Sequence, residues 1–309
     1  MRLATIDLGS NTVRYLLVDV NGDASWRILD QDQRVTRLGQ GLADAGRLAE
    51  APMARTADAV VEYAERARRL GADDVLVVAT SAVREAANGR EFVAGLGRAA
   101  GVRVRIVSGE DEARLTVRGA RAGLRDLRGP LVVFDIGGGS TEFILWRDGA
   151  IVAATSLKLG VVPLAERYPF PGPIDANHYR QLEDEVRARL AREIPPAVVS
   201  AEGATLVGTA GTVTTLAALD LGLHAYDAAR VQGHLLTRDA VSRQLARLAA
   251  LTVEGRAALP CLEPGRADLI VPGVAIVVAA MERFRVDALV VSDWSLREGI
   301  VAERLETLG

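Results

Sequence analysis

Cysteine occurs once in the 309 residues, at Cys261, and histidine three times, at His178, His224 and His234, each isolated from the others. That excludes a disulfide framework and a Cys/His metal cage. Lysine is scarcer than in ordinary proteins: Lys158 is the single one, so almost all of the 37 basic residues are arginine. Arginine suits bidentate binding of phosphate, although a coding bias toward Arg, Ala and Gly gives the same count. There is no basic excess, because 40 acidic residues leave a formal charge of −3, and nothing global advertises nucleic acid or an anionic membrane. A long apolar run is also missing. The longest, "LIVPGVAIVVAAM" (269–281), is too short for a bilayer and holds Pro272 and Gly273, so it reads as a buried helix. The opening "MRLATIDLGS" sets Asp7 where an export signal needs apolar residues, and a cytoplasmic protein is expected.

What is present is an apolar share of 49% with 25% charged residues, the balance of a globular protein long enough for two domains. One pattern occurs twice. "LATIDLGSNTVRYLLVDVNGD" (3–23) and "LVVFDIGGGSTEFILW" (131–146) each run an apolar strand into Asp, pass through a Gly turn with Ser and Thr, and return as a second strand. Asp7 matches Asp135 and Thr12 matches Ser140, 128 residues apart. Between and after the hairpins, strands are expected near 25–34, 75–80, 102–107, 204–209 and 288–293. Helices are expected over 52–70, 88–100, 108–125, 160–167, 175–193, 211–219, 237–250, 264–285 and from 295 to about Leu308. Strands followed by helices in two like halves predict an α/β protein of two similar domains around a cleft, with "RDLRGP" (125–130) as the hinge.

Glycine lets the backbone of a tight turn come close to a ligand, and successive N–H groups with Ser and Thr hydroxyls form an anion cradle. An Asp next to phosphate oxygens is repelled unless a cation lies between them. Asp7 and Asp135 are therefore candidate metal carboxylates. Ser10, Asn11 and Thr12, with Gly137, Gly138, Gly139, Ser140 and Thr141, are candidate phosphate binders. Either turn alone also reads as an ordinary hairpin; two copies with Asp in the same place favour the cradle. A dinucleotide fingerprint is excluded because a strand, not a helix, follows the glycines, and the lone lysine is in no Walker A loop. In "VVATSAVREAANG" (77–89) Arg84 follows a buried strand, as an anion ligand or a solvated side chain. In "LVGTAGTVTTLAAL" (206–219) Gly208 and Thr209 end a strand before a helix start, which suits phosphate or is a plain turn. "SGEDEARL" (108–115) reads as a helix cap with acids at the positive helix end, yet hydrolysis of a phosphoanhydride needs a carboxylate to take a proton from water.

"IDLGSNTVRYLLVD", "ATSAVREAANG", "VSGEDEARL", "FDIGGGSTEF", "GTAGTVTTLAAL", "RADLIVPGVAI" and "SDWSLREGIV" stand in the order found in the exopolyphosphatase/guanosine pentaphosphate phosphohydrolase (Ppx/GppA) family, which the chain resembles from residue 3 to about 304. The resemblance implies an actin-like (ribonuclease H-like, ASKHA) fold of domains 1–127 and 128–309, closing on a cleft, with helix 295–309 packing back on the first. It implies Mg²⁺-dependent removal of a terminal phosphate, with Mn²⁺ as a substitute. It assigns the catalytic base to Glu112, preceded by Asp111, phosphate binding to both loops and Arg84, and the far side of the cleft to Arg266 and "SDWSLREG". The chain lacks the His-Asp-rich helical extension of longer members, which implies a preference for short polyphosphate.

The leading expectation is an exopolyphosphatase in which the two loops and Arg84 hold the terminal phosphate, Asp7 and Asp135 position Mg²⁺, and Glu112 activates water. The near rival is release of the 5′-phosphate from guanosine pentaphosphate, with "HAYDAARVQGH" (224–234) over the base. An actin-like kinase and a non-catalytic nucleotide sensor are more distant. Expected partners are polyphosphate or guanosine pentaphosphate and a second copy in a homodimer, not nucleic acid or membrane.

Overall fold

A computed structural model describes residues 1–21 and 25–307. The turn expected at Gly22 and Asp23 and the helix end expected at Leu308 lie outside the described residues. The chain divides into two compact units, Met1–Ala122 with Leu296–Gly309, and Gly123–Ser295. The division falls before the expected hinge at 125–130 and the expected domain boundary at 127/128. Gly123 belongs with the second unit because a Cβ there would meet Gln232 Nε2 at 2.7 Å and Trp294 Cγ at 3.0 Å.

The first unit is built from β1 (Arg2–Leu8), β2 (Thr12–Val20), β3 (Trp26–Val35), α1 (Leu42–Ala45), α2 (Glu50–Arg69), β4 (Asp74–Ala79), α3 (Ser81–Glu85), α4 (Gly89–Ala100), β5 (Val104–Ile106) and α5 (Gly109–Gly123). Its sheet has the order β3-β2-β1-β4-β5. β1, β2 and β3 are antiparallel, and β4 and β5 run parallel to β1. The alternation of a strand sends neighbouring side chains to opposite faces. Ala4, Ile6, Leu8, Tyr15 and Leu17 pack with Val60 and Tyr63 of α2 and Val93 and Leu96 of α4. Leu3, Leu16 and Val18 pack instead with Val301 of the terminal helix. On the first face Tyr15 and Tyr63 stack with ring centroids 5.2 Å apart, and burial, helped by the charge of Asp30, pushes the Tyr15 phenol up to about 12.

The second unit comprises β6 (Leu131–Ile136), β7 (Thr141–Arg147), β8 (Ala150–Leu157), α6 (Val161–Arg167), α7 (Ala176–Glu193), α8 (Pro196–Val199), β9 (Thr205–Thr209), α9 (Ala210–Asp220), α10 (Ala228–Val231), β10 (Leu235–Thr237), α11 (Arg238–Ala249), α12 (Val253–Ala257), α13 (Ile270–Arg283) and β11 (Ala288–Ser292). Its sheet order, β10-β11-β9-β6-β7-β8, repeats that of the first unit, with β8, β7, β6, β9 and β11 in the places of β3, β2, β1, β4 and β5. The extra edge strand β10 runs antiparallel to β11; its three residues are too few to show a period. Helix α13 starts at Ile270 and not at 264. Pro264–Arg266 form a separate 3₁₀ turn, and Pro272 then falls in the first turn, where a missing N–H costs nothing. Gly273 lets α13 approach Thr212 of α9 more closely than any Cβ would allow. Phe134 and Phe143 stack in the core with Val213, Leu216, Val274 and Val277 around them.

The chain then enters α14 (Leu296–Glu306), which groups with the first unit. Leu296 and Ile300 pack with Val78, Val107 and Leu115, and Gly299 lies so close to the Leu115 carbonyl that a side chain there would collide with it. Among the described residues no helix is long and apolar enough to cross a membrane.

Candidate active site

The β1–β2 turn of the first unit is fixed by a hydrogen bond from Gly9 N–H to Thr12 O at 3.2 Å. A Cβ on Gly9 would lie 3.0 Å from that oxygen, so the turn requires glycine for space. The following segment holds the loop from behind. Gly39 N–H donates to Ser10 O at 2.7 Å, and Thr36 and Arg37 N–H donate to Asn11 O at 3.0 and 2.9 Å. In a trans peptide the N–H points opposite to the C=O, so Asn11 and Thr12 N–H are turned away from these supports. The Ser10 hydroxyl oxygen accepts from Ala82 N–H at 3.2 Å, and the Asn11 amide donates to Thr12 Oγ1 at 3.3 Å. All three side chains are buried, as is Asp7 at the end of β1.

The Ala82 contact ties the loop to α3, and α3 carries Arg84. Arg84 Nη1 donates both to Val107 O and to Glu112 Oε2, each at 2.9 Å. Its Nη2 and Nε have no protein acceptor among the described residues. Arg84 is therefore oriented by the end of β5 and by Glu112 while half of its donor fork stays open for an anion, the geometry that guanidinium offers to phosphate. Glu112 stands in the first turn of α5 and is 9% exposed. The cap expected there is present: Ser108 Oγ accepts from Asp111 N–H at 3.0 Å and donates to Asp111 Oδ2 at 2.8 Å. Asp111 completes the cap and is 51% exposed; Glu112 is the buried one turned to Arg84. Of the adjacent acids, geometry thus separates one that caps from one that faces a cation.

The second loop is the same turn in other chemistry. Gly137 N–H donates to Ser140 O at 2.9 Å, and a Cβ on Gly137 would lie 3.0 Å from that oxygen. Val161 and Val162, at the start of α6, donate to Gly137 O and Gly138 O at 3.2 and 2.9 Å. Those carbonyls face α6, so the N–H groups of Gly138 and Gly139 face the other way, a pair of adjacent donors of the kind that binds anions. Thr141 Oγ1 donates to Leu159 O at 2.5 Å. Gly160 presses on the loop: a Cβ there would overlap Gly138 and Gly139. Gly208 and Thr209, at the end of β9, are brought beside it, since Thr209 is the register partner of Asp135. Thr209 is fully buried and its hydroxyl has no partner among the described residues. Ala210, which follows, is held at φ 70°, a conformation that disfavours residues with a Cβ. Arg266 lies in the 3₁₀ turn of the second unit.

One residue escaped the sequence reading. Glu142, 1% exposed, is the cross-strand partner of Asp135, so the two carboxylates share one face of the sheet. Ser156 Oγ donates to Glu142 Oε1 at 2.6 Å. At the equivalent place in the first unit Asp7 is opposite Arg14. The hairpin register alone would have revealed Glu142, because a turn closed by Gly137 and Ser140 pairs 135 with 142. Like charges directly opposite are destabilising unless a proton or cation is shared, so the donor set of the second unit suits a hard cation. Among the described residues no group of three or more His, Cys, Asp or Glu is gathered for a metal. Two carboxylates without a full cage suit Mg²⁺, which is held by one or two carboxylates together with substrate phosphates. Cys261 and two of the three histidines serve packing or polar contacts: Cys261 Sγ donates to Leu223 O, His234 contacts Asp220 at 3.0 Å, and His178 packs against Tyr168 and Phe170.

The pattern of the Ppx/GppA phosphatase family matches residues 17–308. Exopolyphosphatase 2 of Mycobacterium tuberculosis is 38% identical over 97% of each chain. A guanosine-5′-triphosphate,3′-diphosphate pyrophosphatase of Photobacterium profundum is 31% identical over 99% of this chain and 59% of its own length. The crystal structure of the Aquifex aeolicus member of the Ppx/GppA family, 30% identical, superposes with a TM-score of 0.84 and covers 100% of this chain and 99% of that one. The family pattern over most of the chain and whole-length relatives at 30% identity and above show that the chain belongs to the Ppx/GppA phosphatase family.

Proposed function

We propose that the protein is an exopolyphosphatase, a phosphoanhydride hydrolase that releases terminal orthophosphate from inorganic polyphosphate. The observation that carries this reading is the Arg84–Glu112 contact at 2.9 Å, held beside the first loop through Ala82 and Ser10. Arg84 presents its open donors to a phosphoryl group. Glu112, anchored at one oxygen by Arg84, takes the proton of the attacking water as general base. In the first unit the N–H groups of Asn11 and Thr12 donate to phosphoryl oxygens as negative charge shifts toward the leaving phosphate; in the second, those of Gly138 and Gly139 offer a like pair of donors. The hydroxyls of Ser10 and Thr12 add polar groups to the first loop, and those of Ser140 and Thr209 to the second. Asp7 of the first unit, and Asp135 with Glu142 of the second, are the carboxylates that would hold Mg²⁺, whose charge would offset substrate oxygens that they otherwise repel. The whole-length similarity to a mycobacterial exopolyphosphatase supports polyphosphate as substrate. Guanosine pentaphosphate is the second reading, supported by the similarity to the Photobacterium protein, of which the chain spans 59%.

The test is phosphate release with Mg²⁺ from polyphosphate and from guanosine pentaphosphate in parallel, by the parent protein and by Glu112→Gln. Loss of a general base costs about 10²- to 10⁴-fold in turnover, with substrate binding kept. A Glu112→Gln protein that binds polyphosphate and turns it over at the parental rate would refute the assignment of the base. Release from guanosine pentaphosphate alone would move the substrate to the second reading.

A further inference from the structure

A groove of about 1670 Å³ runs along the first unit, lined by β4, β5 and α14, with Arg68 of α2, Arg84 of α3, Arg90 of α4 and Arg118 of α5. It begins at the candidate active site, because Arg84 and Ser108 are among its walls. Its lining holds seven arginines and four carboxylates, in a chain whose formal charge is −3. Three of the four carboxylates are paired with arginines, and the fourth, Asp73, has a backbone donor. Glu303 bonds Arg105 and Arg118, Glu306 bonds Arg118, Asp74 pairs with Arg304, and Asp73 accepts from Arg2 N–H. Three arginines remain uncompensated. Arg68 donates only to the carbonyls of Ala100 and Gly101, and Arg90 and Arg103, both exposed, have no acid partner among the described residues.

Their placement follows the fold. Arg90 is at the start of α4, where Gly89 is packed against the Val83 carbonyl of α3, the helix that carries Arg84. Arg68 and Arg103 lie where α4 ends and β5 begins. The twelve residues of α4 separate the two ends by about 18 Å. Between them β5 is an edge strand, paired on one side by β4, whose other side offers backbone donors.

We infer that this groove binds the continuing chain of a linear polyanion whose terminal phosphate is at Arg84 and Glu112, with Arg90 as the near contact and Arg68 and Arg103 as the far ones. This rests on the polyphosphate reading above and adds a subsite to it. The first loop alone can grip the end of a chain; the groove lengthens the grip, so affinity grows with chain length.

The experiment uses Glu112→Gln protein, so that ligand is not consumed, and measures binding of tripolyphosphate and of long-chain polyphosphate by calorimetry at two salt concentrations. Arg90→Glu/Arg103→Glu in that background should weaken long-chain binding relative to tripolyphosphate by about tenfold or more, the scale of two lost charge-assisted contacts, and reduce its salt dependence. Arg69→Glu, an exposed arginine outside the groove, should change the ratio far less. An unchanged ratio in the double variant, or an equal change from Arg69→Glu, overturns the subsite. Displacement of long polyphosphate by single-stranded DNA of equal charge at equal concentration overturns its assignment to polyphosphate. If the parent protein hydrolyses neither polymer, the functional reading fails while the binding ratio still decides the groove.

Discussion

The two glycine turns share a backbone and differ in what holds them. In the first unit the loop is tied by the segment after β3 and by a side chain, Ser10 Oγ to Ala82 N–H. In the second it is tied by the first N–H groups of α6, by Thr141, and by a glycine in direct contact with it. Gly39 and Gly160 fill equivalent places after the third strand of each sheet, but a Cβ on Gly39 would meet Ser10 Cβ at 3.2 Å and Ser10 O at 3.3 Å, whereas one on Gly160 would overlap the loop backbone. The chemistry is divided as well: after the fourth strand the first unit has Arg84 facing Glu112, and the second has Thr209 and an apolar helix start. A repeated fold therefore preserves the turn, which is backbone geometry, while the groups that could move protons are concentrated in one copy and the opposed carboxylates in the other.

The comparison can be broken at its strongest point first. Gly160→Ala should destabilise the protein by about 3 kcal/mol, the upper end for overpacking, and reduce turnover with it; thermal unfolding and phosphate release check both. Neither Gly160 nor Gly39 has positive φ, so space alone separates them, and Gly39→Ala should cost less than about 1 kcal/mol. Equal effects would mean that the second loop can shift away from its support. Next comes the hydroxyl clamp. Thr141→Val leaves the buried Leu159 carbonyl without its donor at an expected cost of about 1–3 kcal/mol, read by denaturant unfolding. Ser10→Ala in the first loop removes an acceptor from Ala82 N–H and should cost about 1 kcal/mol, with a larger effect on KM than on stability. The smallest effect sharpens the comparison from the side of strain. Ala210→Gly should stabilise the second unit by about 1 kcal/mol, the penalty of a Cβ in the left-handed region, measured as a rise in Tm; a fall would show that the loss of Cβ packing outweighs the relief.

Much of this was legible in the residues. Apolar strands ending in Asp and the 128-residue offset give the two hairpins and the equivalence of the turns, because both are local patterns. Glu112 and Arg84 could be named separately, but their contact joins α3 to α5, 28 residues apart, and no periodicity reports it. α3, with five residues, and β10, with three, are shorter than any period. Gly160 opens the helix expected over 160–167; its role depends on a close approach made by the fold. Glu142 was read as the resumption of a strand, although strand register puts it opposite Asp135. The groove was hidden for another reason: Arg68, Arg90 and Arg103 lie in three different elements, and in a chain this rich in arginine none stands out.

Helix α14 has a bearing on how the molecule is made. It seals Leu3, Leu16 and Val18 with Val301, yet it is synthesised only after the whole of the second unit. During translation the first sheet must wait with that face uncovered, while the contiguous second unit, Gly123–Ser295, can fold as soon as it emerges. The order of completion on the ribosome is thus the reverse of the order in the sequence. The early strands are the stretch most exposed to sticking and to chaperones until the last helix arrives.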